Sequence, residues 1–165
     1  MQFTTCYAKI LPSSKWNFLK ISLTKNPSVV LSLMNSCCTP ILLYGLEALK
    51  LNVSIRNDID FVYNTIFAKI FKVSDKNVIS LCQYYTEYVP ASCLLDLQRM
   101  NFFNSVNELK DSLPFQLNKL LSTQLDVEDA CKKYALTSEM ISKLGKDTRK
   151  LAVRNWFESS ILNLL

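Results

Sequence analysis

An all-α fold, an irregular bundle of about seven or eight helices, is what this sequence predicts. Three observations lead there. Apolar residues recur at intervals of three and four along most of the 165 residues. Only two glycines and five prolines are present, too few for sheets joined by many tight turns. No stretch alternates polar and apolar residues as a half-buried strand does. With 49% hydrophobic and 20% charged residues the chain is globular rather than disordered, and long enough to bury a sizeable core.

Taken in order, "AKILPSSKWNFLKISL" reads as two short helices split by Pro12, with Ser13 or Ser14 capping the second and Trp16, Leu19 and Leu23 on one side of it. Pro27-Ser28 opens a long apolar helix whose residues Val29, Leu33, Cys37 and Ile41 step by four, with Val30 and Met34 beside them. Pro40 removes one hydrogen bond and predicts a kink. Ser54 is the expected cap of the clearest helix, in which Ile55, Ile59, Val62, Tyr63, Ile66, Phe67, Ile70 and Phe71 form an inward stripe. Arg56 and Asp60 are spaced for an ion pair at its start. Ser74 is the expected cap of a short helix through Val78, Ile79 and Cys82. Pro90 suits the first turn of another, with Leu94, Leu97, Met100 and Phe103 inward. After a break at "KDSLP" come Leu117, Leu120 and Leu121. A helix capped by Asp126 follows, with acids in its first turn and lysines toward its last. Thr137 or Ser138 caps the next, which stops at Gly145. Asp147 opens a final helix carrying Leu151, Trp156, Phe157, Ile161 and Leu162.

Histidine is absent, which excludes Ser-His-Asp and Cys-His nucleophiles and His-ligated metals. The nearest carboxylates, Asp126, Glu128 and Asp129, then Asp58 and Asp60, read as helix starts and helix pairing, not as the acids of a two-metal site. Gly45 and Gly145 stand alone, so no phosphate-cradling loop is expected. No catalytic residue, metal or cofactor is predicted. The six cysteines include no Cys-x-x-Cys and lie among apolar neighbours, so they are expected as buried, reduced thiols of an intracellular protein. The stretch 27–46 carries no charge over the length of a membrane span, but it contains Asn35, Thr39, Pro40 and three serines. It is expected as a core helix, and no membrane partner is predicted.

The formal charge of +5 is uneven. Residues 1–46 hold four lysines and no acid, 47–142 are net −2, and 143–165 are net +3. Basic ends around a near-neutral middle suit a polyanion. Lys69 and Lys72 are spaced one turn apart on the outer face of the clearest helix, and Lys76 follows shortly after. The tail brings Lys143, Lys146, Arg149, Lys150 and Arg154 together with Trp156. Lys69, Lys72, Lys76, Lys146, Arg149, Lys150 and Arg154 are the candidate nucleic-acid-binding residues. Such clusters hold phosphates without reading bases. Exposed aromatics can stack on unpaired bases, but most aromatics here keep core spacing.

A further pattern has a family resemblance. "CTPILLYGLE" contains Cys38, Pro40, Leu42, Leu43, Tyr44, Gly45 and Glu47 in a C-x-P-x-LLYG-x-E arrangement. Asp60, Phe61, Asn64, Lys69 and Phe71 follow as D-F-x-x-N-x-x-x-x-K-x-F. Then come Asn77, Val78, Ile79 and Cys82, and a Pro90-led helix reaching Arg99 and Phe102. Over residues 31–103 this ordered set resembles the region just after the reverse transcriptase palm in non-LTR (LINE-type) retrotransposon polyproteins. The resemblance implies a thumb-like helical domain over 28–110, preceded by a linker-like helical segment over 1–27 and followed by a basic helical extension over 111–165. In that family the catalytic aspartates lie upstream, and this chain has no Asp-Asp pair. The implied function is a non-catalytic fragment that binds the backbone of an RNA–DNA hybrid or duplex weakly and without sequence preference, with Lys69 and Lys72 in that role. A palm domain is the implied protein partner. The alternative is a helical remnant without independent activity, or one that associates with itself or another protein through an uncovered apolar face.

Overall fold

In a computed structural model that describes residues 26–49, 51–108, 123–137, 140, 143 and 145–163, regular structure consists of six helices and one 3-10 turn, and the described residues contain no strand. The all-α expectation holds. The count is six rather than seven or eight, because the segments expected before residue 26 and at 117–121 lie outside the described residues, and of the segment at 137–145 only part is described.

The first helix, α1 (27–43), starts at Asn26, whose Oδ1 accepts the Ser28 N–H, with Pro27 in the first turn. Its middle, Met34–Cys38, is a π-helical turn in which the Thr39 N–H reaches the Met34 carbonyl five residues back. The Thr39 hydroxyl donates to the same oxygen at 3.2 Å. Pro40 has no N–H to give the Ser36 carbonyl, and the widened turn is where the ladder absorbs that loss. The extra residue also shifts the helix phase. The buried residues are Val30, Met34, Thr39 and Leu43, spaced four, five, four, with Leu31 and Leu42. The expected stripe is therefore corrected: Val29 and Ile41 are exposed, as is Cys37, and Leu33 is half-buried. Gly45 ends the helix at φ +73°, a left-handed conformation open to glycine without a Cβ penalty, and the 3-10 turn Leu46–Ala48 follows.

Helix α2 (Val53–Phe71) buries Ile59, Tyr63, Ile66 and Phe67, with Ile55, Val62, Ile70 and Phe71 packed alongside, as its periodicity predicted. Asn52, not Ser54, caps it, accepting the Ile55 N–H at 2.9 Å. The helix begins at Val53, so Ser54 already lies inside the first turn. Helix α3 (Lys76–Tyr85) is capped by Asp75 rather than Ser74, through the Asn77 N–H. It buries Ile79 and Gln83, while Val78 is exposed.

Helix α4 (Ala91–Glu108) is the centre of the fold. It touches α2, the 3-10 turn, α5 (Thr123–Lys133) and α6 (Lys146–Leu162). Two hydrophobic clusters meet on it. Ala91 and Leu95 join α1 and α2, whereas Cys93 and Met100 join Val127, Ala130, Cys131 and Tyr134 of the α5 region and Val153 of α6. Being packed on several sides explains why its buried residues do not form the single stripe expected: Leu94, Leu97 and Phe103 are half-buried, and Leu95, Asp96 and Arg99 are interior. The second cluster draws on residues from both sides of the expected boundary at 110.

In α5, the helix starts three residues before Asp126, which is thus in its first turn rather than before it. The Thr137 hydroxyl accepts the Met140 N–H at 3.2 Å. Gly145 precedes α6, whose buried residues are Arg149, Val153, Phe157 and Ile161; Leu151 and Leu162 face solvent. No disulfide joins any two of the five described cysteines, of which Cys93 and Cys131 are buried, Cys38 and Cys82 half-buried and Cys37 exposed. No helix among the described residues is long and apolar enough to cross a membrane.

Candidate nucleic-acid interface

The lysines of α2 and α3 gather at one corner. Lys69 lies in the last turn of α2. Lys72 is its C-cap, in the left-handed conformation at φ 56°, and Lys76 is the first residue of α3. All three are exposed. Lys72 is therefore at the end of the helix and not on its outer face as expected.

The tail cluster comes apart. Lys146 and Lys150 are exposed on α6, but Arg149 is 2% exposed and its Nε donates to Asn101 Oδ1 at 2.9 Å. Its position on the α6 face that meets α4 draws it inside. Arg154 donates to Glu158 at 2.8 Å and pairs with Glu87 at 3.6 Å. The hydrogen bond to Glu158 raises its already high pKa. Of the seven candidates, Arg149 is corrected to an interior residue and Arg154 to one committed to carboxylates.

An interior charge network was not foreseen. Asp96 is 1% exposed. One oxygen meets Arg56 Nη1 at 2.7 Å; the other meets Lys133 Nζ at 3.1 Å and the Tyr134 hydroxyl at 2.8 Å. Lys133 Nζ also stands 4.4 Å from the Trp156 ring centre and 4.9 Å from that of Tyr134. Arg56 thus reaches across to α4 rather than along its own helix to Asp60. Asp60 instead accepts the Ser92 N–H at 2.8 Å, capping α4 from α2. Similarly, Asn64 accepts from Gln83 Nε2 at 2.7 Å, tying α2 to α3, and the Arg99 guanidinium donates to the Leu49 carbonyl.

Beside this network a groove of about 870 Å³ opens, lined by α2, α3, α6, the start of α4 and Lys133. Cys93 lines it, but burial pushes that thiol up, which disfavours the thiolate a nucleophile needs. No cluster of three metal-ligating side chains occurs among the described residues.

No family model, curated protein or solved structure matches the chain. What the chain can do is therefore read from its own chemistry: an exposed lysine corner next to a groove with mixed polar and aromatic lining. Nothing local in the sequence marks Asp96, Lys133 or Gln83 as partners of residues 37, 40 or 19 positions away. The only signal was that each is a polar residue at an inward helical position.

Proposed function

We propose that this chain is a non-catalytic, thumb-like piece of a non-LTR retrotransposon reverse transcriptase that holds a template–primer duplex by its backbone, weakly and without sequence preference. The observation that carries the reading is the exposure of Lys69, Lys72 and Lys76 at one corner. The ordered resemblance over residues 31–103 supports it; within the fold, Asp60 and Asn64 of that pattern join α2 to α4 and to α3. Lys146 and Lys150 add positive charge on α6. The test is titration of a labelled RNA–DNA hybrid at rising salt. The logarithm of affinity should fall with the logarithm of salt by roughly 0.7–0.9 per phosphate contact. The Lys72→Ala/Lys76→Ala protein should lose about two such contacts of slope. No binding at low salt, or binding insensitive to salt, refutes the reading.

A second reading, association with another protein surface, is favoured by the exposed apolar residues Val29 and Ile41 on α1, Tyr44 and Leu49 on the connection that follows it, and Val53 at the start of α2. Sedimentation showing self-association without hybrid affinity would select it.

A further inference from the structure

Helix α2 leaves an aromatic ring in water. Phe61 is 70% exposed, and it stands at the groove beside Asn64 and Thr65 of the same helix. From α6, Trp156 lines the same groove, with the Lys133 ammonium over its ring. The Asn64–Gln83 amide pair lies among the lining residues. So do the carboxylates of Asp58 and Asp60, which disfavour phosphate inside the groove but accept hydrogen bonds from ring and exocyclic N–H groups. Lys76 belongs both to this lining and to the lysine corner. A groove of about 870 Å³ is within the range that takes nucleoside-sized ligands.

We propose that the groove receives unpaired bases at the end of a nucleic-acid strand whose backbone lies on the Lys72–Lys76 corner, with Phe61 as the stacking face. The proposal rests on the backbone-binding reading and adds to it a site for single-stranded ends. Continuity with the lysines favours a polyanionic strand, because a neutral or basic peptide meeting the same ring gains nothing from that corner. Phosphates stay outside on lysine and bases go inside against aromatic, amide and carboxylate groups, which is how sequence-tolerant single-strand sites divide the two.

The experiment compares a blunt RNA–DNA hybrid with the same hybrid carrying a short single-stranded overhang, side by side at each of several salt concentrations, on the full chain. The overhang should tighten binding about tenfold. Phe61→Ala should abolish that gain while leaving blunt-hybrid affinity and the urea midpoint unchanged, because the ring is exposed. Phe61→Trp should keep it. Blunt binding with a lysine-dependent salt slope but no gain from the overhang overturns the groove and leaves the backbone reading standing. A Phe61-dependent affinity for the overhang alone supports the groove and counts against duplex binding. Absence of binding to either substrate overturns both. Concentration-dependent dimerisation abolished by Phe61→Ala, with no gain from the overhang, assigns the ring to a second copy of the chain and overturns the proposal.

Discussion

Replacing Asp96 with alanine should be among the most damaging single changes to this protein. The carboxylate is interior and holds three donors from two other parts of the fold: Arg56 on α2, Lys133 at the end of α5 and Tyr134 just beyond it. Removing it leaves the buried Tyr134 hydroxyl without its acceptor, a cost of about 1–3 kcal/mol. Arg56 and Lys133 keep 25% and 32% of their side-chain surface, so each can turn partly to water. Their loss is then smaller than for a fully buried pair, roughly 0.5–1 kcal/mol each. The sum, about 2–5 kcal/mol, is a large share of the roughly 5–15 kcal/mol typical of a domain. Asp96→Asn, which keeps an acceptor but no charge, should cost less, about 1–2 kcal/mol. Equilibrium urea unfolding followed by far-UV circular dichroism measures both. Asp129→Ala serves as a control, because its 3.6 Å pair with Lys132 is 77% exposed on both sides, and it should leave the midpoint unchanged. A loss under about 1 kcal/mol for Asp96→Ala would refute the view that this carboxylate joins α2, α4 and α5.

Alkaline pH and backbone geometry provide two further tests. Burial pushes the Cys93 and Cys131 thiols up, so the unfolded chain releases these protons at lower pH than the folded one. The folded state then binds more protons, and stability should fall as pH rises above about 8.5, where free thiols titrate. A urea midpoint that stays flat or rises there contradicts this, whereas Cys93→Ala should flatten the slope. At the end of α1, Gly45→Ala meets no atom within 4 Å but must hold φ near +73°. It should destabilise by about 1–2 kcal/mol through backbone strain alone, and an unchanged thermal midpoint would argue against that turn.

Much of the helical architecture was legible because it is local. The period of Ile55 to Phe71 names a helix and its inward face without knowledge of any neighbour. Caps were legible only to within a residue or two, since Asn52 and Ser54, or Ser74 and Asp75, offer equivalent oxygens to adjacent N–H groups. The α1 stripe was misread for two reasons: ahead of the π-turn the inward face runs through Val30 and Met34, which leaves Val29 outside, and the residue inserted at the π-turn before Pro40 breaks the constant helical phase, so the count by four does not carry on to Ile41. The tail cluster was misread for another reason. Charge counted along a sequence says nothing of which cation a packed neighbour withdraws, and α4 withdraws Arg149 through Asn101.

By itself, then, the sequence determined that this protein is helical, where its strongest amphipathic helix runs, and that lysines cluster near residues 69–76. These follow from short-range periodicity and composition. Only the tertiary structure decided which polar groups are interior partners and which face water. Asp60 became a cap for α4 instead of a partner for Arg56, Asp96 gathered three donors, and Phe61 was left exposed beside a groove. The physical reason is distance along the chain. Arg56 and Asp96 are 40 residues apart, and their attraction exists only once hydrophobic burial has brought α2 and α4 together.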